Sequence, residues 1–134
     1  MKFIHMTDIH LVGDVGSLNG MVPSERLDAC LNDILHWHED ASFCVISGDL
    51  AEFAEPKAYQ ILEMRLRSFP LPCFLLIGNH DIRNVFQSVF DRHPKDPNGY
   101  VQHSYEKDGR VFLFLDTKKE GCDVHEGQLC TDRL

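Results

Sequence analysis

Three short apolar segments that each lead directly into polar side chains most constrain the fold of this chain. They cover residues 2–6, 43–47 and 73–77. The segments between them have apolar residues at helical spacing, so the pattern alternates strand, helix, strand, helix, strand. This alternation is typical of a parallel sheet, and right-handed crossovers place the carboxyl ends of its strands at one edge. The sequence therefore predicts an α/β fold with a β-sheet core flanked by helices.

The polar residues that follow these strands are of types that bind divalent metal ions. Those with ligand or acid–base chemistry are Asp8, His10, Asp49, Asn79, His80 and Asp81. Ligands of open α/β sheets gather at the carboxyl ends of the strands, and carboxylate, amide and imidazole groups suit several transition metals. Singly, Asp8, Asp49 and Asn79 would also fit helix caps or turns. As an ordered set with two histidines, they predict a metal centre.

Local signals place the remaining elements. Ser24 is a plausible N-cap of a first helix, and Pro56 suits the first turn of a second. Asp108-Gly109, between two apolar runs, predicts a β-hairpin with strands over 100–106 and 111–115. The tail, residues 126–134, is predicted to contain a short helix.

Composition excludes several function classes. The chain has 134 residues, 13 basic against 21 acidic, and a net charge of −8, which argues against a broad nucleic-acid surface. Its sequence shows neither a signal peptide nor an apolar run of membrane-spanning length. Five cysteines without a C-x-x-C pair favour free thiols and a cytoplasmic location.

Three motifs in order carry a family resemblance: Asp8-Ile9-His10, Gly48-Asp49 and Gly78-Asn79-His80-Asp81, followed by Leu115-Asp116-Thr117. They resemble the calcineurin-like metallophosphoesterase superfamily, and most of all its class III cyclic nucleotide phosphodiesterase branch. The resemblance implies an αββα sandwich. Family members carry further histidines, including a Gly-His-x-His element that these 134 residues do not contain. We therefore expect residues 1–134 to form a single partial domain, the amino-terminal half, without the carboxyl-terminal half of the sandwich.

The resemblance also implies a role for each metal-binding residue. Asp8 and His10 would bind a first ion, Asp49 would bridge two ions, and Asn79 would bind the second. The ions would be manganese, iron, zinc or cobalt. The first ion keeps three protein ligands, which suffices for a catalytic site, but the second keeps only two. We therefore expect this chain alone to bind one ion or none.

Other residues receive roles by the same resemblance. His80 would not be a ligand and would donate a proton to the leaving oxygen, with Asp81 orienting its imidazole. Two further expectations rest on sequence position and not on the resemblance. Arg83 lies close enough to this motif in the sequence to reach a substrate phosphate. Asp116 is expected to be a structural turn residue. His125 belongs to a segment that resembles a family loop without metal ligands, so we do not expect it to bind metal.

The expected function is a metal-dependent phosphoric diester hydrolase that acts on a cyclic nucleotide or small glycerophosphodiester and is impaired in this chain. A pyrophosphohydrolase of the same superfamily is one alternative. The other is an inactive fragment that self-associates as a homo-oligomer through exposed sheet edges.

Overall fold

The sheet and helices follow the order expected from the sequence. A computed structural model describes residues 1–14, 16–119 and 125–133. The strands of a three-stranded parallel sheet, in the order β1-β2-β3, are β1 (Ile4–Thr7), β2 (Cys44–Ser47) and β3 (Cys73–Leu76). The helices are α1 (Pro23–Trp37), α2 (Pro56–Arg67) and α3 (Arg83–Val89). An antiparallel hairpin of β4 (His103–Lys107) and β5 (Arg110–Phe114) follows.

These elements confirm the predicted α/β fold. The parallel register pairs Thr7 with Ser47 and Ser47 with Leu76, so the three strands end side by side at one edge. In the described part of the tail, the predicted short helix is a single 3-10 turn at Thr131–Arg133. The hairpin is confirmed, and its turn residues Asp108 and Gly109 both have positive φ, 52° and 69°, as a two-residue turn of type I′ requires.

The two faces of the sheet pack against different layers. Successive side chains of a strand point to opposite faces. Ile46 and Leu75 lie in one buried cluster with Leu62 of α2. On the other face, the Phe74 ring lies 5.0 Å from the Phe114 ring of the hairpin. Helices on one side and a hairpin on the other therefore hold the sheet, and the strand ends are left to build a site.

The start of α1 differs from the sequence prediction. The helix begins at Pro23, and its N-cap residue is Val22, which makes no side-chain capping hydrogen bond. Ser24 lies inside the first turn, so its expected role as N-cap is wrong. Proline is well suited to the first helical position because its missing N–H would have no partner there. The prediction for α2 is confirmed, with Pro56 in the first turn after Glu55.

Membrane and thiol features agree with the sequence where the structure describes them. Among the described residues, no helix is long and apolar enough to cross a membrane. Four cysteines are free thiols, namely Cys30, Cys44, Cys73 and Cys130. Cys122 lies outside the described residues. The cytoplasmic location stays a prediction.

A buried histidine pair makes the stability of this fold depend on pH. His93 Nε2 donates a hydrogen bond to the Leu75 carbonyl oxygen at 3.0 Å, and its ring packs 5.3 Å from that of Phe86. Burial, with a smaller contribution from His103 whose ring lies 5.6 Å away, lowers the pKa of His93 to about 4. Burial lowers the pKa of His103 as well. The folded state therefore resists protonation that the unfolded chain accepts.

We predict that the free energy of unfolding falls as the pH drops from the pKa of histidine in the unfolded chain toward the pKa of about 4 that His93 has in the folded chain. His93→Gln retains a donor for the Leu75 carbonyl without a titrating group. Between pH 7 and pH 5, the free energy of unfolding of this variant should fall by about 2 kcal/mol less than that of the unmodified chain. Urea denaturation at both pH values measures the difference. Identical losses in the two proteins would contradict the account.

Candidate metal centre

The loops after β1 and β2 stay hydrogen-bonded beyond the ends of their strands. The His10 N–H donates to the Asp49 carbonyl oxygen at 2.9 Å, and the Leu11 N–H donates to the Leu50 carbonyl oxygen at 3.0 Å. Parallel pairing thus continues into the loops and holds His10 directly beside Asp49. Two motifs about forty residues apart in sequence are joined in this way.

The loop after β3 is tied to the loop after β2 by the buried carboxylate of Asp81. Asp81 is fully buried and accepts four hydrogen bonds, from the N–H groups of Leu50, Ala51 and Gly78 and from the Tyr59 hydroxyl. Burial raises the pKa of Asp81, while these donors offset part of that rise. The loop after β2, the loop after β3 and helix α2 therefore meet at this carboxylate.

These contacts correct the role expected for Asp81. The carboxylate is occupied by the backbone and by Tyr59, whereas the His80 imidazole has a different partner. His80 Nδ1 donates to the Glu52 carbonyl oxygen at 3.0 Å. A carboxylate that receives backbone N–H groups organises loops, and the backbone of Glu52 orients the imidazole instead.

Gly78 allows the closest approach between the two loops. A Cβ atom at this position would lie 2.2 Å from both the backbone nitrogen and Oδ1 of Asp49. Beside it, the His80 N–H donates to Asp49 Oδ1 at 3.0 Å. Glycine is therefore required here by space, because any side chain would separate Asp49 from the third motif.

Three of the expected metal ligands have an unusual backbone conformation. Asp8, His10 and Asp49 have positive φ values of 55°, 42° and 41°. Residues other than glycine seldom adopt this region, and such residues gather at functional sites where the surrounding structure maintains them. At these positions the turn brings side chains from successive strand ends toward a common point.

His10 presents one ring nitrogen to the site and has the other fixed. Nδ1 lies 2.7 Å from Glu52 Oε2, so it donates to that carboxylate. Nε2 lies 3.9 Å from Asp49 Oδ2 and 4.0 Å from Asp8 Oδ1. Ligand atoms about 2.0–2.2 Å from a tetrahedral ion lie about 3.4 Å from one another, so these atoms would have to move closer together to bind one ion. Nε2 of His10 therefore faces two carboxylates, but Asp8 is not among the described residues whose ligand atoms all lie within 4.8 Å of one another, which are His10, Asp49 and His80. A carboxylate behind a ligand histidine, as Glu52 is here, is a usual supporting contact.

His80 lies at the same point. The ligand atoms of His10, Asp49 and His80 are all within 4.8 Å of one another, and the rings of the two histidines meet edge to face at 5.0 Å. The hydrogen bond with the Glu52 carbonyl is the largest cause that raises the pKa of His80. With Nδ1 occupied, Nε2 is the atom that could bind metal or exchange a proton.

Asn79 is held from a different direction. Its side-chain Nδ2 lies 3.0 Å from His125 Nδ1, and its main-chain carbonyl oxygen accepts a hydrogen bond from Lys118 Nζ at 2.8 Å. The structure therefore adds two residues beside this motif that were not predicted to act there.

Arg83 has contacts that differ from the expected phosphate contact. It is 8% exposed and donates from Nε and Nη2 to both carboxylate oxygens of Asp116, at 2.7 and 3.0 Å. Nη2 also donates to the Lys118 carbonyl oxygen. A buried, bidentate ion pair of this kind anchors structure, so we withdraw Arg83 as a phosphate-binding residue. Asp116 is fully buried, as a structural role requires.

A cavity of about 620 Å³ opens beside the histidines. Its walls are formed by the apolar side chains of Leu18, Met21 and Leu27, by the positively charged side chain of Arg26, and by His10 and His80 of the candidate site. This volume is in the usual range for a small-molecule site, and so is the mixture of apolar walls with few polar groups.

Comparison with known proteins assigns the family. Residues 1–133 match the family model described as calcineurin-like phosphoesterase. This chain belongs to the calcineurin-like phosphoesterase family. It is 38% identical over 134 residues to a protein of Rhodopseudomonas palustris named probable cyclic nucleotide phosphodiesterase, a match that covers 100% of this chain and 49% of the relative.

Two further relatives carry related names. A probable cyclic nucleotide phosphodiesterase of Fibrobacter succinogenes is 37% identical over 96 residues, covering 72% of this chain and 35% of the relative. The 3′,5′-cyclic adenosine monophosphate phosphodiesterase CpdA of Escherichia coli K12 is 32% identical over 90 residues, covering 66% of this chain and 33% of the relative. These names confirm the resemblance to the cyclic nucleotide branch. The chain spans about half the length of the Rhodopseudomonas relative.

Glu52 is the functional residue that sequence reasoning missed. It lies three residues after Asp49 and combines two contacts, with its carboxylate on His10 and its carbonyl on His80. Nothing in the identity of Glu52 distinguishes it from other acidic residues of this chain.

We predict that Gly78→Ala lowers the free energy of unfolding by about 2–3 kcal/mol, because its Cβ would overlap Asp49. Gly127→Ala is the matched control. Its Cβ would lie 3.5 Å from the nearest atom, an ordinary contact, so the expected change is within about 0.5 kcal/mol. Urea denaturation measures both, and equal effects would show that the two loops do not approach as described.

We predict that Glu52→Ala weakens binding of Mn²⁺ by about 10- to 100-fold, because His10 loses the carboxylate that orients its ring. Glu52→Gln keeps an acceptor for Nδ1 and should lose less. The control is Glu63→Ala, which removes only the helix-surface pair with Arg67. Calorimetric titration measures the affinities. Unchanged affinity in Glu52→Ala would refute the supporting role.

Proposed function

We propose that this chain carries the divalent-metal site of a phosphoric diester hydrolase. The observation that carries the proposal is the geometry of His10, whose Nε2 faces Asp8 and Asp49 while its Nδ1 is fixed by Glu52. Membership of a metal-dependent phosphoesterase family supports it. The family gives the reaction class, and the geometry gives the residues.

The chemistry divides between the ion and the protein. A bound dication polarises a phosphoryl oxygen and activates water. Asp8, His10 and Asp49 would hold that ion, and Asp49 could also bind a second ion because a carboxylate offers two oxygens. His80 would donate a proton from Nε2 to the leaving oxygen. Its raised pKa, with Nδ1 committed to the Glu52 carbonyl, suits a proton donor.

We propose that the chain alone binds one ion or none tightly. The first position has three protein ligands, whereas the second has Asp49 and Asn79 only. Two ligands make a weak site, so turnover by this chain is expected to be low. A set of carboxylate, imidazole and amide ligands suits manganese, iron, zinc or cobalt.

The proposed substrate is a small phosphodiester, either a cyclic nucleotide or a glycerophosphodiester. The names of the relatives support the first of these. The cavity beside His10 and His80, with its apolar walls and Arg26, would suit the organic part of such a molecule. The net charge of −8 disfavours a broad nucleic-acid surface. The names of the relatives favour a phosphodiester substrate over the alternative, a pyrophosphate substrate.

A second candidate, self-association of an inactive fragment, rests on exposed apolar side chains at the sheet edges. Val111 and Leu113 of β5 are 63% and 67% exposed, and Phe3, just before β1, is 45% exposed. Both strands have one unpaired side among the described residues. Edges of this kind favour strand addition by a second copy.

One experiment separates the two functions. With excess Mn²⁺, we predict slow hydrolysis of bis(p-nitrophenyl) phosphate that Asp49→Asn abolishes, because the bridging carboxylate is lost. The control Asp33→Asn, on the exposed surface of α1, should retain the rate. No turnover at any Mn²⁺ concentration together with a stable oligomer in size-exclusion chromatography would support the fragment. Equal rates in Asp49→Asn and the unmodified chain would place the reaction elsewhere.

A further inference from the structure

We infer that His125 is a positioning residue that orients the side-chain amide of Asn79. The inference rests on the proposed function, because it takes Asn79 as a metal ligand. It concerns which atom of the amide faces the metal position. A metal ion needs the oxygen, and a carboxamide that is held by nothing presents its nitrogen as readily as its oxygen.

The contact itself determines the orientation. Asn79 Nδ2 lies 3.0 Å from His125 Nδ1. An amide nitrogen only donates, so His125 Nδ1 accepts and the ring proton lies on Nε2. With Nδ2 committed to the histidine, Oδ1 is the atom left for a cation. His125 thus acts through Asn79 and is not itself a ligand in this arrangement.

The chain segment that carries His125 is anchored to the core on both sides of the contact. Lys118 and Gly127 form an antiparallel bridge, and the Gln128 N–H donates to the Thr117 carbonyl oxygen at 2.7 Å. The Lys118 N–H donates to Asp116 Oδ1 at 3.1 Å. The position of His125 is therefore determined by the described residues that flank it.

That anchor begins at the buried ion pair of Arg83 and Asp116. Asp116 also accepts from the Val101 N–H at 3.0 Å, and Arg83 also donates to the Lys118 carbonyl oxygen at 3.0 Å. Arg83 lies four residues after Asn79 at the start of α3. The ion pair therefore connects the loop that contains Asn79 to the segment that covers it.

A second contact from the same segment holds the main chain of Asn79. Lys118 Nζ donates to the Asn79 carbonyl oxygen at 2.8 Å. One segment therefore restrains both the peptide group and the side chain of this residue. Groups behind a metal ligand that fix its orientation commonly change metal affinity by about 10- to 100-fold when removed. We expect His125 to contribute at the lower end of that range, because its side chain is exposed.

Two substitutions separate the hydrogen bond from mere packing. His125→Leu removes the acceptor, whereas His125→Asn places an oxygen acceptor near the position of Nδ1. His125 is exposed, so neither change should unfold the chain, and circular dichroism checks this. In nuclear magnetic resonance spectra without metal, the Asn79 side-chain amide protons should be protected from exchange in the unmodified chain and in His125→Asn. They should lose that protection in His125→Leu.

The metal readout is the second, weaker step of Mn²⁺ binding, followed by calorimetric titration at Mn²⁺ concentrations high enough to fill both positions. His125→Leu should weaken that step about tenfold and His125→Asn by less than about twofold. In the double variant with Asn79→Ala, the effect should equal that of Asn79→Ala alone, since His125 acts only through Asn79. Additive effects, or a His125→Leu affinity equal to that of the unmodified chain, would overturn the inference.

The same titration distinguishes failure of the inference from failure of the proposed function. If Asn79→Ala leaves the weaker step of Mn²⁺ binding unchanged while Asp49→Asn loses Mn²⁺ binding, Asn79 is not a ligand in this chain and the inference falls, but the first metal position stands. If Asp49→Asn also binds normally, the proposed function falls with it. Lost exchange protection without any change in affinity would overturn the inference alone.

Discussion

The buried carboxylate of Asp81 is the interaction on which the candidate site depends. Its oxygens accept from two N–H groups of the loop after β2, from Gly78 in the loop after β3 and from Tyr59 of α2. Burying a charge is costly unless it is hydrogen-bonded, and here four donors offset that cost. The parallel sheet brings these two loops to the same edge, and the carboxylate of Asp81 joins them directly. The close approach of Gly78 to Asp49 follows from this connection.

Two classes of acidic residue emerge from the same sequence pattern. Asp81 and Asp116 are fully buried and organise backbone, through N–H groups in both cases and through Arg83 in the second. Asp8, Asp49 and Glu52 face the site and its histidines. The buried class builds the supports, and the other class supplies ligands and their orientation. Asp49 shares features of both classes, since it is 8% exposed, its Oδ1 accepts from the His80 N–H and its Oδ2 faces His10.

The sequence predicted the parts of this structure that depend on short-range pattern. Strand order, the common edge and the hairpin at Asp108-Gly109 follow from periodicity and turn chemistry. The approach of His10 to Asp49 follows from topology, because strand ends of a parallel sheet lie together. The α1 cap was wrong because serine and proline at neighbouring positions compete for the helix start, and here the helix begins at the proline.

The roles of Asp81, Arg83, Glu52 and His125 could not be obtained in the same way. Each depends on a distance between loops that sequence spacing does not give. Asp81 lies next to His80 in the chain, yet its carboxylate is taken by other donors. Arg83 lies near the motif, yet it pairs with a partner 33 residues away. His125 reaches Asn79 only because the segment around Lys118 and Gly127 returns to the third loop.

The central claim is that the loops after β1 and β2 hold one cation between Asp8, His10 and Asp49. Anomalous diffraction from crystals of this chain soaked in Mn²⁺ tests it most directly. The account predicts a peak within about 2.0–2.3 Å of His10 Nε2 and of carboxylate oxygens from Asp8 and Asp49. A manganese peak bound elsewhere, with these three side chains turned away from one another, would contradict it.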